Sequence, residues 1–253
     1  MATKEDVAKR AVEMYNYCAN NFQPEIQYSI ANSVMFDKTV SPIPLSGGSG
    51  VPSEYIYEDL TTEEALFKYA SMGRSVVVLN FASYFYPGGG FLSGAMAQEE
   101  SLCHHSFLYN VLSNECFAPY YAYNKQNPNK SLYLDRAIYS PGVRFFAQDA
   151  STLAGVITCA SPNTCNRTDK EFKAENSKCL RSRIELVYAI AERVNPDVLI
   201  MGAFGCGVFG QEPTEVAAIC KDLRNKTILR TVAFAVPRKF SIKNYQAFLK
   251  IGR

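Results

Sequence analysis

From residue 76 onward the hydrophobic pattern alternates between short runs that are apolar at nearly every position and longer stretches whose apolar positions recur at helical spacing. Val76-Val77-Val78-Leu79-Asn80-Phe81 is β-branched and almost wholly apolar, as a strand covered on both faces must be. Val156-Ile157-Thr158-Cys159-Ala160, Val198-Leu199-Ile200-Met201 and the run 228–236 repeat the pattern. Between them the spacing predicts helices over 95–114, 177–193 and 214–223, and a last helix after Pro237. Near the N-terminus, Val7, Ala11, Met14 and Tyr15 mark a helix over 3–18. Thr61-Thr62-Glu63-Glu64 caps another that runs to about Met72. Residues 22–60 show no clear period. They mix short extended pieces with Pro42, Pro44 and Ser46-Gly47-Gly48-Ser49-Gly50, which reads as a mobile surface loop. Strands alternating with helices of this length predict an α/β fold: a three-layer α/β/α sandwich around a mixed, largely parallel sheet. With no internal repeat and no linker, residues 1–253 are expected to form one catalytic domain, 1–72 being an accessory region of it.

Composition narrows the functions open to such a fold. Apolar residues make up 47% of the chain and charged residues 20%, ordinary proportions for a globular protein. A formal net charge of +2 supplies no basic field for clamping nucleic acid. An anionic ligand must therefore be held by local groups. Eight scattered cysteines without a C-x-x-C, and only two histidines, His104 and His105, offer no metal-site spacing. The charged N-terminus lacks an apolar signal core, and no apolar run approaches membrane-spanning length. A monomeric cytoplasmic protein with free thiols and no cofactor is expected, with the nucleus as an alternative location if the source is eukaryotic.

In a sheet of this kind ligands bind where loops leave the carboxyl ends of strands. Two such loops are rich in glycine. After Phe81 come Gly88-Gly89-Gly90, which remove every side chain and let a ligand approach the main chain. After a spacer of seven residues, Gln98-Glu99-Glu100 opens the next helix. At about 100° per residue the two carboxylates leave the helix in different directions, so only one can face a given substrate atom squarely. After Met201 comes Gly202-Ala203-Phe204-Gly205-Cys206-Gly207-Val208-Phe209-Gly210. Gly205, Gly207 and Gly210 spell G-x-G-x-x-G between a strand and a helix, which favours a diphosphate on main-chain N–H groups. A Rossmann site is disfavoured. The motif lies late in the chain, and residues 228–236 carry no acid to hold a ribose. Cys206 has no histidine near it in sequence and reads as a spacer rather than a nucleophile.

Gly-Gly-Gly, a seven-residue spacer and Gln-Glu-Glu together resemble the signature of poly(ADP-ribose) glycohydrolases, which are built on a macrodomain. The wider string from Val78 to Glu100 is similar to the microbial branch, as are Gly202–Gly210 and, more weakly, Val156–Asn163. The resemblance spans about residues 76–236. It implies hydrolysis of ribose–ribose bonds in poly(ADP-ribose), releasing ADP-ribose, with Glu100 as catalytic acid and Glu99 orienting the scissile ribose. It further implies that Gly88, Gly89 and Gly90 line the diphosphate and distal ribose, with Asn80 and Gln98 in support. Gly205, Gly207, Val208 and Gly210 would cradle phosphate, and Phe209 would pack on the distal ribose. The partners implied are poly(ADP-ribose) or ADP-ribosylated protein, with neither membrane nor sequence-specific nucleic acid. A mono-ADP-ribosyl hydrolase and a non-catalytic ADP-ribose reader are the alternatives. Retention of both glutamates speaks against the reader. Tyr84-Phe85-Tyr86 and Tyr120-Tyr121-Ala122-Tyr123 offer aromatic faces for a base, or core filler.

Overall fold

A computed structural model of the protein describes residues 3–38, 43–48, 53–165, 167 and 169–250. Seven strands form one sheet in the order β1-β4-β5-β3-β6-β7-β2. These are β1 (Val34–Asp37), β2 (Glu54–Glu58), β3 (Val76–Phe81), β4 (Arg136–Phe146), β5 (Ser151–Cys159), β6 (Val198–Met201) and β7 (Thr231–Ala235). The pairs β5·β3, β3·β6, β6·β7 and β7·β2 are parallel, whereas β4 runs antiparallel to both β1 and β5. The apolar strands are explained by the two-residue period of a sheet buried on both faces. Val77, Leu79, Leu199, Val232 and Phe234 pack on one side, beneath α7 (Lys170–Val194), α8 (Pro213–Leu223) and α9 (Ile242–Phe248). Val76, Val78, Val198, Ile200 and Ala233 pack on the other. There they meet α1 (Lys4–Asn21), α3 (Thr62–Ser71), α4 (Gln98–His104), α5 (Leu108–Leu112) and α6 (Ala118–Gln126). The three-layer α/β/α expectation is met.

Thr61 caps α3 as its sequence indicates. Its hydroxyl accepts from the Glu64 N–H at 3.2 Å, and the Glu64 carboxylate returns to the Thr61 N–H at 2.6 Å. Several expectations need correcting or extending. Within 22–60 lies a helix, α2 (Gln23–Ala31), which carries only two buried residues, Ile26 and Ser29, too few to print a period. In the same stretch, Ser46 and Gly47 are exposed, as expected of a surface loop, but the segment leading into them is anchored. Ile43 is buried in the core, and the Ser46 N–H bonds to Glu192 at 2.9 Å. The loop's remaining residues, 49 and 50, and Pro42 lie outside the described residues. The helix expected over 95–114 is two helices, because the chain leaves α4 to bridge β4 at Ser106–Phe145. There the Phe146 N–H donates to the His105 carbonyl at 2.7 Å. Strand β4 is itself unanticipated: Pro141-Gly142 sits in its middle at a bulge between Ser140 and Val143 and breaks the pattern. Finally, α7 begins at Lys170, ahead of its expected start at 177, and is capped by Asp169, whose side chain accepts the Phe172 N–H at 2.9 Å; its polar first turn hid it.

Candidate active site

Glycine loops and α4 meet at the carboxyl end of β3. Asn80, the one polar residue of that strand, is fully buried. Its Nδ2 donates to Glu99 Oε1 at 3.1 Å and to Thr158 Oγ1 on β5 at 3.3 Å, while its Oδ1 has no partner. Glu99 Oε2 accepts the Ser83 N–H at 2.6 Å, and the Glu99 carboxylate also receives the Gly88 N–H. Glu100 accepts the Gly90 N–H at 2.8 Å on Oε1 and the Ala97 N–H at 2.9 Å on Oε2, closing its own helix N-terminus. Gln98 braces the arrangement. Its Oε1 accepts the Phe81 N–H at 2.8 Å, and its Nε2 donates to the Leu79 carbonyl at 2.9 Å and to Thr62 at 3.2 Å. With its amide committed to the backbone of β3, Gln98 fixes α4 to the strand end.

The two carboxylates converge, contrary to the divergence expected from helical geometry. A Cβ on Gly89 would lie 2.5 Å from Glu100 Oε1 and 3.0 Å from Glu99 Oε2. The Cα–Cβ bonds do diverge, but three torsions per glutamate let N–H donors from the loop draw both carboxylates to one point. Gly89 has φ +58. It is therefore required twice, by its left-handed backbone and by the absence of space for a side chain. Both glutamates are buried. Burial pushes the Glu99 carboxyl up to about 8; the Ser83, Asn80 and Gly88 donors oppose that shift and the neighbouring Glu100 adds to it.

The first loop's N–H groups are committed within the protein: Gly88 to Glu99, Gly89 to the Tyr86 carbonyl at 3.2 Å and Gly90 to Glu100. The second loop differs. Among the described residues the N–H groups of Gly207, Val208 and Phe209 make no hydrogen bond, while their neighbours are anchored. Carbonyls on the opposite side are held by the loop after β5. The Phe209 carbonyl accepts from Thr164 N at 2.8 Å and Thr164 Oγ1 at 3.0 Å, and the Val208 carbonyl from Cys165 Sγ at 2.6 Å. Consecutive free N–H groups with their carbonyls turned away form an anion-binding concavity. A Cβ on Gly205 would strike Ser161, and one on Gly210 would meet Thr164 Oγ1 at 3.0 Å, whereas Gly207 has open space around it. Val208 is exposed, and Phe209 is half-buried with its ring 6.0 Å from Tyr133. Cys206 Sγ sits 3.7 Å from the Phe204 carbonyl, its thiol raised by burial, as befits a spacer.

Ser83, Thr158, Thr164 and Tyr133 were not singled out in the sequence. A polar residue in a doubly covered strand, as Thr158 is, would have been the signal. The others are brought in only by loop conformation.

A depression of about 790 Å³ opens at the ends of β2 and β7 and is lined by Asp59, Leu60, Arg238, Phe240 and Ile242 among others. Lys243, next in sequence to the lining residue Ile242, binds Glu212, which follows the second loop, at 2.7 Å. Phe240 is 74% exposed there, with Lys239 Nζ 5.3 Å from its ring centroid.

Parallel strands delivering a free N–H cradle and a buried carboxylate pair to one edge define an α/β protein built to bind an anionic ligand beside acid–base groups. Comparison with known proteins gives the family. The profile described as "Microbial-type PARG, catalytic domain" matches residues 3–148, so the chain belongs to the microbial-type PARG family. The match begins in α1, well before the start of the stretch that carries the resemblance in sequence. The chain is similar to the poly(ADP-ribose) glycohydrolase of Thermomonospora curvata bound to the inhibitor ADP-HPD, with 28% identity and a TM-score of 0.87 over 97% of this chain and 99% of that one. It is also similar to the Deinococcus radiodurans enzyme in complex with ADP-ribose, with 30% identity and a TM-score of 0.80 over 90% of this chain and 97% of that one. No curated protein matches. Among the described residues, no helix is long and apolar enough to cross a membrane.

Proposed function

We infer that the protein is a poly(ADP-ribose) glycohydrolase that cleaves ribose–ribose O-glycosidic bonds and releases ADP-ribose. The observation that carries this reading is the pair Glu99 and Glu100 meeting at Gly89, beside three free N–H groups of a second loop at the same sheet edge. The diphosphate rests on Gly207, Val208 and Phe209, within the turn set by Gly205 and Gly210. The distal ribose lies between Phe209 and the side-chain-free surface of Gly88, Gly89 and Gly90. The adenosine end extends over the depression toward Phe240. Residues 1–253 act as one catalytic domain, with 1–72 contributing α1 and α3 to the packing around α4. The enzyme works as a monomer in the cytoplasm.

Cleavage breaks the bond between the anomeric carbon and the leaving oxygen, and positive charge builds on the ribosyl ring. Glu100 donates its proton to the departing oxygen, then takes one from the attacking water, whose hydroxyl completes the freed anomeric carbon. The bound diphosphate brings negative charge beside the two glutamates and excludes water from the site. Glu99, anchored through Asn80 and Ser83, holds the ribose hydroxyls, and Gln98 keeps α4 in register with β3. That fixed geometry supplies much of the rate.

Glu100→Gln tests the assignment. Turnover of poly(ADP-ribose) is expected to fall by ~10²–10⁴-fold with ADP-ribose binding retained, because the diphosphate is held by main-chain groups. Hydrolysis at near the normal rate by the folded variant would remove Glu100 from the chemistry. Release of ADP-ribose from mono-ADP-ribosylated protein, but not from polymer, would favour the mono-ADP-ribosyl hydrolase instead.

A further inference from the structure

Tyr86 is left over by the site as described. Its neighbour in the same aromatic run, Tyr84, is 2% exposed and stacks on Tyr133 with ring centroids 4.2 Å apart. Tyr86 is 58% exposed. Yet it is firmly held: its N–H bonds to Ser83 Oγ at 3.2 Å, and its carbonyl accepts from Gly89, the glycine on which both glutamates converge. Lys125, in the last turn of α6, stands over the Tyr86 ring with Nζ 4.5 Å from the centroid. This pairing is built in. Asn124, fully buried, donates to the Tyr84 carbonyl at 2.8 Å, and the Tyr84 hydroxyl donates to the Asn127 carbonyl at 3.2 Å. These two bonds fasten α6 to the loop and present Lys125 to Tyr86. Lys125 is exposed and, among the described residues, makes no ion pair, so its charge is uncompensated.

The pair also lies on a particular side of the chemistry. The phosphate cradle follows β6, and the depression with Phe240 lies farther on, at β7 and β2. Tyr86 and Lys125 lie in the other direction. Arg136 at the start of β4 donates to Asn124 at 2.6 Å, which joins α6 to the β4 side of the sheet. A polymer held by one unit toward β6 and β7 must carry its remaining chain away past the scissile bond.

We propose that Tyr86 and Lys125 form an outer subsite for the ADP-ribose unit on the leaving side of that bond. The base of that unit stacks on the face of the Tyr86 ring that Lys125 leaves open, and its diphosphate meets the Lys125 ammonium. An aromatic surface beside an unpaired cation suits a chain that alternates bases with anions. The subsite rests on the glycohydrolase reading. It adds chain-length selectivity, since a substrate with nothing beyond the scissile bond cannot use it.

The test compares Tyr86→Ala, Tyr86→Phe and Lys125→Glu, measuring affinity for poly(ADP-ribose) in a Glu100→Gln background and for free ADP-ribose in the same proteins. Loss of one stacked base is expected to weaken polymer binding about tenfold in Tyr86→Ala. Lys125→Glu should lower polymer affinity and flatten its salt dependence. Tyr86→Phe should restore the wild-type value, and ADP-ribose affinity should be unchanged throughout. With Glu100 intact, the same variants should raise KM for polymer and leave kcat alone. The subsite is refuted if Lys125→Glu, a change on an exposed helix surface that the fold tolerates, leaves polymer affinity unaltered. Equal losses for polymer and ADP-ribose refute it too, since Tyr86 would then belong to the inner site. If the wild-type protein fails to release ADP-ribose from polymer, the glycohydrolase reading falls, and the binding ratios still decide the subsite.

Discussion

Glu99 and Glu100 are adjacent in sequence, yet they differ in what holds them, and their substitutions should differ accordingly. The Glu99 carboxyl is raised from 4.5 to about 8, chiefly by burial. Below pH 4.5 both folded and unfolded chains keep the proton. Between 4.5 and 8 the unfolded chain has released it while the folded chain has not, so stability falls as pH rises, by up to ~1.4 kcal/mol per pH unit. Glu99→Gln removes that slope. The variant should be ~1–3 kcal/mol less stable than wild type near pH 5, because an amide must turn a donor toward Ser83 or Asn80. The gap should close and then reverse as pH rises toward 8. Urea unfolding of both proteins at three pH values measures it, and parallel curves would mean that Glu99 does not hold its proton. A second contrast lies in the other loop. Gly207→Val should weaken ADP-ribose binding with little change in Tm, since no protein atom lies within 4 Å of the new Cβ and the obstruction falls on the ligand alone. Cys206→Ser should leave turnover nearly unchanged. A folded but inactive Cys206→Ser would mean that the thiol takes part in the reaction.

Among the elements, α1 bears on catalysis indirectly. Gly94 lies between the Gly-Gly-Gly turn and α4, with φ +76, and a Cβ there would strike the Lys4 carbonyl at the start of α1. Gly94→Ala therefore combines a left-handed penalty of ~1–2 kcal/mol with displacement of α1 from the loop that sets Gly89 and Gly90. A lowered Tm with a fall in kcat larger than the change in ADP-ribose affinity is expected. Retained Tm and kcat would show that α1 does not constrain the loop. The same element explains why the family match starts at residue 3: Ala11 and Cys18 of α1 lie in one core with Val78 and Leu102.

For the molecule as a whole, ligand binding and folding are linked. Free ADP-ribose at a hundredfold excess over its Kd should stabilise the fold by roughly 2.7 kcal/mol, read as a rise in Tm, with AMP doing less. An unchanged Tm at millimolar ADP-ribose would remove the phosphate cradle. At this scale the division between sequence and structure is plain. The apolar strands 76–81 and 198–201, the Thr61 cap and both glycine loops were legible because each is a local pattern that a few residues enforce. Gly-Gly-Gly with Gln-Glu-Glu pointed to the family for the same reason. The pieces that were missed depend on contacts distant in sequence. Strand β4 exists because β1 and β5 pair with it on either side, and α4 ends where Ser106 meets Phe145. The meeting of Glu99 and Glu100 at Gly89, the raised carboxyl of Glu99 and the presentation of Lys125 to Tyr86 are likewise tertiary. Burial and long-range hydrogen bonds set all three, and neither is encoded in the spacing of neighbouring residues.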